Sequence, residues 1–407
     1  MARVVIVGAG QAGASVAMAL RQEGFPGAIL VLGAEPDLPY ERPPLSKQYL
    51  AGELEAARLL LRPPAFWAER TIDIRTGCQV VEVDPARATV RTRTGETLAY
   101  DTLVWAAGGT PRRLPIPGGE LAHVIRTRAD VDRIRAALPD ARRVVIAGGG
   151  WIGLEVAAVL VKRGLEVTVV EAMDRLLARV TAPPLSAFMA DEHRRQGVEI
   201  LLGDQIAAIE GDGRARAVVL ASGARRAADL VIAGVGLVPE VGPLSAAGAA
   251  CPDGVAVDAH GRTGLPRIWA AGDCARHPNP FAGGRPVRLE SVQNAADMGK
   301  AVAASIVRGL AAPPYHVVPW FWSNQYDLKL QTVGLTQGAD SWVVRGDPAS
   351  RSWSLVHLRA GAVVALDCIN APRDYVQGRA LVERGARIAP HRLADASVPL
   401  KELGDER

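Results

Sequence analysis

The 407-residue sequence predicts an α/β chain in which two doubly wound parallel-sheet domains, one inserted into the other, precede a C-terminal α+β domain. Three observations predict it. A strand, a glycine turn, a helix and a second strand follow one another from residue 3, and the same succession returns at residue 143. Each copy is followed by further short apolar runs. From about Pro319 the texture changes to short, aromatic-rich alternating segments.

The first copy opens with Arg3-Val-Val-Ile-Val7, a β-branched run suited to a buried parallel strand. Gly8-Ala-Gly10-Gln-Ala-Gly13 follows at once. Residues 14–23 carry Val16, Ala17, Ala19 and Leu20 at helical spacing, and after Gly24 and Gly27 residues 28–32 read as a strand. The second copy runs from Arg143-Val-Val-Ile-Ala147 through Gly148-Gly-Gly150-Trp-Ile-Gly153 and a helix to about Arg163. The strand 166–170 then ends with Glu171 at its tip. Each copy has the length of one strand–helix–strand crossover.

Residues 72–101 alternate and are expected to form antiparallel hairpin strands turning at Gly95 and Glu96, with residues 103–107 a buried strand after them. Residues 217–220 and 230–234 repeat that order after the second copy, and 267–271 is a strand running into Gly272 and Asp273. Beyond Pro319, strands are expected over 320–322, 328–333, 341–345 and 353–358, with turns at Gly338 and Gly346. The expected domains are 1–112 with 238–318, an inserted 113–237, and 319–407.

With 49% apolar and 22% charged residues the chain is neither disordered nor fibrous. Its longest uncharged stretch, 309–326, holds Pro313, Pro314 and Pro319, which argues against a membrane span. Only Met1, Ala2 and Arg3 precede the first apolar residue of the opening strand, so no leader is expected and the protein reads as cytoplasmic. Cys78, Cys251, Cys274 and Cys368 stand far apart, against a disulfide scaffold, a redox dithiol or a metal site. The 42 Arg against 5 Lys, with a net charge of +4 and a pI of about 9.0, suit either an acidic protein partner or a solvated surface; neither nucleic acid nor a membrane is an expected partner.

A GxGxxG pattern alone is weak, but both copies sit between a strand and a helix, where the pattern has a mechanism. Gly8 and Gly148 allow the tight turn, Gly10 and Gly150 let the backbone approach a pyrophosphate, and Gly13 and Gly153 bring helix against sheet. The helix N-terminus holds the phosphates. Two Rossmann-like dinucleotide-binding domains follow. Glu171, 23 residues after Gly148, is placed for an adenosine ribose 2′-OH, and Glu35 is the acid nearest the end of the first copy. Asp273 suits the polar chain of a flavin or a helix N-cap; Lys47 suits a site or the surface.

Read in order, Pro43-Pro-Leu-Ser-Lys47, Arg179-Val-Thr-Ala-Pro-Pro184, Ile232-Ala-Gly-Val-Gly-Leu-Val-Pro239, Ala271-Gly-Asp-Cys-Ala-Arg276, Arg288-Leu-Glu-Ser-Val292, Pro319-Trp-Phe-Trp-Ser323 and Val398-Pro-Leu-Lys401 resemble the FAD-dependent ferredoxin reductases that serve haem-thiolate monooxygenases and aromatic-ring dioxygenases. The resemblance runs nearly end to end. It implies that the first domain binds FAD and the insert binds NAD, as NADH. It further implies that positions Ala12, Arg42, Lys47, Val80, Arg126, Asp273 and Val292 contact FAD, with Trp322 beside the flavin ring. Trp151 and Glu155 fall at the nicotinamide site, where the family often has tyrosine for Trp151, and Ile152 is a further candidate cofactor contact. The family often has an acid where Ala34 stands, which leaves Glu35 as the candidate ribose contact. Lys47 and Glu155 are the expected catalytic residues, and the expected partner is an acidic 2Fe-2S ferredoxin drawn by clustered basic residues, Arg288 among them. The rival readings on the same two folds are a rubredoxin reductase and a slow NADH-binding flavoprotein of the apoptosis-inducing-factor type.

Overall fold

The run Arg3–Val7 takes the centre of an all-parallel sheet, in the order Ile268–Ala270, Thr102–Trp105, Arg3–Val7, Ala28–Leu32, Ile72–Arg75. Its valines and isoleucine are buried on both faces, which a parallel strand covered by helices requires. The computed structural model describes residues 2–404, and the chain divides into two units. The first comprises Met1–Glu41, Ala57–Thr110 and Val238–Pro319, and contains this sheet. Helix Gln11–Gln22 packs along Val292–Arg308, and Gly299 makes the approach close: a Cβ there would lie 3.0 Å from the Ala12 carbonyl oxygen.

The second unit comprises Arg42–Ala56, Pro111–Leu237 and Trp320–Arg407. Its parallel sheet runs Glu199–Leu202, Glu166–Glu171, Arg143–Ala147, Leu230–Ala233, His123–Val124. The same unit holds an antiparallel sheet in the order Trp320–Gln325, Leu328–Gly334, Ala362–Ile369, Ser352–Arg359, Ser341–Asp347. Helix Pro372–Arg384 covers it, with Gly378 seated against Leu366. Within this unit a buried trio crosses from the insert to the antiparallel sheet: Thr181 Oγ1 donates to Asp367 Oδ2 at 2.5 Å, and His357 Nε2 lies 2.8 Å from the same oxygen.

Three expectations are corrected. Residues 72–75 join the parallel sheet rather than a hairpin; as its edge strand Ile72–Arg75 buries only one side, and that produces the alternation. The antiparallel strands are Val80–Asp84, Thr89–Thr92 and Thr97–Ala99. Gly346 lies inside a strand, paired with Trp353, and the turn falls at Pro348–Ser350, where the Asp347 carboxylate accepts from the Ala349 amide. A strand absent from the expected set, Ala362–Ile369, lies between two partners of its sheet. Among the described residues no helix is long and apolar enough to cross a membrane.

Candidate functional site

In the first unit the turn after Arg3–Val7 is set by backbone geometry. Gly8 has φ +110°, and a Cβ on it would lie 2.2 Å from the Ala106 carbonyl oxygen, so no other residue fits. Gly10 is the N-cap of the helix without a side-chain cap, which leaves the first-turn amides available to an anion. Gly272, at φ +80°, closes on Ala12: an added Cβ would meet the Ala12 Cβ at 2.7 Å. Asp273 follows in the single turn Gly272–Cys274, half-buried, and is therefore not a helix N-cap. Val292 opens its helix, capped instead by Ser291. Val80 is buried at the start of its strand. The Glu35 carboxylate accepts from the Tyr40 hydroxyl at 2.5 Å.

In the second unit the turn repeats. Gly148 has φ +102° and its added Cβ would lie 2.5 Å from the Gly234 carbonyl oxygen, while around Gly150 the space is open. The uncapped helix Trp151–Lys162 starts there, with Ile152 exposed. Glu171 faces the turn: Oε2 accepts from the Gly149 amide at 2.6 Å and Oε1 from the Met173 amide at 2.8 Å. Both glycine turns are thus cradles that fit a dinucleotide pyrophosphate.

Glu155 lies one turn along from Trp151 and is 2% exposed. Its carboxylate has three partners: Lys47 Nζ at 2.6 Å and Ser46 Oγ at 2.5 Å on Oε2, and Ser323 Oγ at 2.7 Å on Oε1. Burying this charge demands such pairing. The segment Pro43–Ser46 brings Lys47 and Ser46, and strand Trp320–Gln325 brings Ser323. On the same strand Phe321 stacks near Trp151, ring centroids 5.8 Å apart, and Trp322 sits 5.5 Å from Trp320. Arg42 Nη1 donates to the Arg126 carbonyl oxygen at 2.5 Å. Ser46 and Ser323 were not among the expected site residues, although both lie inside the motifs quoted above.

Arg288 does not supply a basic patch. Its side chain is 12% exposed and committed to Asp253 at 3.1 Å and Glu290 at 2.6 Å.

Two uncapped glycine turns on parallel sheets, one with the Glu171 carboxylate beside it, together with a half-buried lysine paired to a buried glutamate, fit an oxidoreductase of two nucleotide cofactors. Residues 2–299 match the family described as pyridine nucleotide-disulphide oxidoreductases, and residues 320–404 match a reductase C-terminal domain. The chain is 54% identical to the 5,5′-dehydrodivanillate O-demethylase ferredoxin reductase subunit of a Sphingobium species, over 98% of this chain and 97% of that one. It is 53% identical to a ferredoxin–NAD(P)+ reductase of a Sphingomonas species, with the same coverages. Its structure matches that of putidaredoxin reductase in covalent complex with putidaredoxin, with a TM-score of 0.95, 40% identity, and 98% and 97% of the two chains covered. The chain therefore belongs to the pyridine nucleotide-disulphide oxidoreductases, and within them to the ferredoxin reductases, flavoenzymes that use FAD and NAD(H).

Proposed function

We propose that this chain takes electrons from NADH and delivers them to an acidic two-iron two-sulfur ferredoxin that serves an oxygenase. The observation that carries the reading is the pairing of half-buried Lys47 with buried Glu155 in a chain with two nucleotide turns that ferredoxin reductases match end to end. When bound, FAD would supply the hydride acceptor for NADH and the single-electron donor for the ferredoxin. The residue roles rest on the chemistry of the glycine turns and, for Ala12, Val80, Asp273, Val292, Trp151 and Glu155, on the resemblance. In the first unit, Gly8, Gly10, Ala12, Gly13, Glu35, Val80, Asp273 and Val292 are assigned to FAD. In the second, Arg42, Lys47, Arg126 and Trp322 are assigned to FAD by the resemblance, and Gly148, Gly150, Trp151, Ile152, Gly153, Glu155 and Glu171 to NADH.

The Lys47 ammonium is fixed in place because three acceptors hold it: Glu155, the Pro43 carbonyl oxygen at 3.1 Å and Ser46. A fixed cation of this kind stabilises negative charge as it develops, without reorganisation. Glu155 holds Lys47 in turn. Glu171, anchored by two backbone amides, retains lone pairs on both oxygens for a ribose hydroxyl. A cytoplasmic location belongs to the same proposal, since four free thiols suit a reducing compartment.

The experiment is a panel of purified ferredoxins offered to the FAD-loaded protein with NADH. Reduction of a 2Fe-2S ferredoxin at a rate well above that of rubredoxin is expected. Reduction of rubredoxin alone would favour the rubredoxin-reductase reading, and slow turnover with every acceptor would favour the apoptosis-inducing-factor type.

A further inference from the structure

A line of hydrogen bonds leads away from Glu155. Ser323 Oγ, bonded to Glu155 Oε1, also lies 3.0 Å from Gln325 Nε2. Gln325 Oε1 is 2.8 Å from His193 Nε2, and the Tyr326 hydroxyl is 2.9 Å from His193 Nδ1. Ser323, Gln325 and His193 are 1%, 3% and 0% exposed, so water does not compete for these groups.

One placement of protons satisfies every bond. A carboxylate only accepts, so the single hydroxyl hydrogen of Ser323 goes to Glu155. Gln325 must then donate through its amide nitrogen, and its carbonyl oxygen accepts from His193. His193 therefore carries its proton on Nε2, and as a neutral imidazole it accepts on Nδ1 from Tyr326. Burial pushes the His193 pKa down, which keeps the ring neutral. The opposing charge of neighbouring Glu192 is offset by Arg195 and Arg351, at 2.6 and 3.1 Å. The far end of the line is built under strain. Tyr326 takes the left-handed backbone conformation, φ +57°, in the tight turn between Gln325 and Leu328, a position that normally goes to glycine or asparagine.

Every hydrogen on this line points toward Glu155. We propose that Ser323, Gln325, His193 and Tyr326 are positioning residues that orient the Glu155 carboxylate, and through it fix the ammonium of Lys47. The kinetic consequence rests on the proposed function; the proton arrangement does not. The charged groups beside the line, Lys47, Glu155, Asp191, Glu192, Arg194, Arg195, Asp327 and Arg351, are each paired with an opposite charge.

The test has two readouts on the FAD-loaded enzyme. In long-range proton–nitrogen spectra His193, identified by the signal lost in His193→Asn, is expected as the neutral Nε2–H tautomer at neutral pH. An Nδ1–H or doubly protonated ring overturns the arrangement. In single-turnover reduction by NADH, His193→Asn removes the donor toward Gln325, and Gln325→Glu replaces the donor toward Ser323 with an acceptor. Each is expected to lower the limiting rate about tenfold or more, with little change in the NADH concentration for half-saturation. His193→Gln, which restores a donor toward Gln325, is expected to recover most of the loss. Wild-type rates in His193→Asn, or His193→Gln as slow as His193→Asn, overturn the positioning role. A wild-type enzyme that NADH does not reduce refutes the proposed function instead, and the imidazole spectrum still decides the proton arrangement.

Discussion

Arg175 donates from Nη1 to Ser186 Oγ at 2.7 Å, and the same guanidinium caps the carbonyl oxygens of Thr181 and Ala178 at 2.9 Å each. This arginine, four residues beyond Glu171, is consumed in closing its own loop. It is not available to receive a ribose 2′-phosphate.

NADH is therefore expected to be preferred over NADPH. A phosphate beside Glu171 places like charges about 4 Å apart, at a cost of roughly 1–4 kcal/mol. The check is the ratio of kcat/KM for the two nucleotides in wild type and in Glu171→Ala. Parity in the wild type, or a preference that survives the substitution unchanged, would show that Glu171 does not read the ribose.

Gly8→Ala is expected to lower stability by roughly 1–3 kcal/mol from the backbone conformation alone, with the contact against Ala106 adding to it, and to weaken FAD retention. Gly24→Ala is the control: φ is +79° there, but nothing lies within 4 Å of the added Cβ. Thermal unfolding and the flavin-to-protein absorbance ratio measure both. Equal behaviour of the two variants would remove the close approach as the reason for Gly8.

Acid sensitivity should begin above the carboxylate range. His277 is 1% exposed, and burial lowers its pKa to about 4 from an ordinary 6.5. The unfolded chain thus binds this proton first as pH falls, so stability is full above about 6.5 and declines between there and 4, by roughly 3 kcal/mol for this group. Asp229, whose carboxyl is held down chiefly by its hydrogen bond to Arg143, acts only below the ordinary aspartate value. Denaturant midpoints between pH 7 and 4.5 should fall less steeply in His277→Gln. An identical slope would exclude His277 as a contributor.

Docking to the acidic ferredoxin proposed above would be an association that salt screens, with a Debye length of about 8 Å at physiological ionic strength. Ferredoxin reduction at subsaturating ferredoxin is expected to slow markedly from low to high salt while hydride transfer from NADH changes little. Insensitivity to salt would call for an apolar contact in its place.

Both glycine turns and the strands and helices flanking them were legible because local sequence alone determines them: a β-branched run, glycines at fixed offsets, then helical spacing. Lys47 and Glu155 were legible only through the resemblance, since 108 residues separate partners that meet at 2.6 Å. Ser323, Gln325 and His193 lacked any periodic signature; a buried polar residue declares itself through its partners, and those come from distant segments. The strand Ala362–Ile369 escaped notice for a related reason. It is buried along nearly its whole length, so it lacks the alternation by which a half-exposed strand is read.

The trio of Thr181, Asp367 and His357 bears on how reductases of this kind can be recombined. Asp367 sits in the C-terminal sheet, yet one of its two partners comes from a loop of the inserted domain. A chimera that grafted a relative's C-terminal segment onto this chain, to redirect it to a different electron acceptor, would split this shared carboxylate from its hydroxyl donor. The C-terminal sheet and the loop that carries Thr181 are then best inherited together, and an exchange that respects the molecule has its seam drawn to include Thr181.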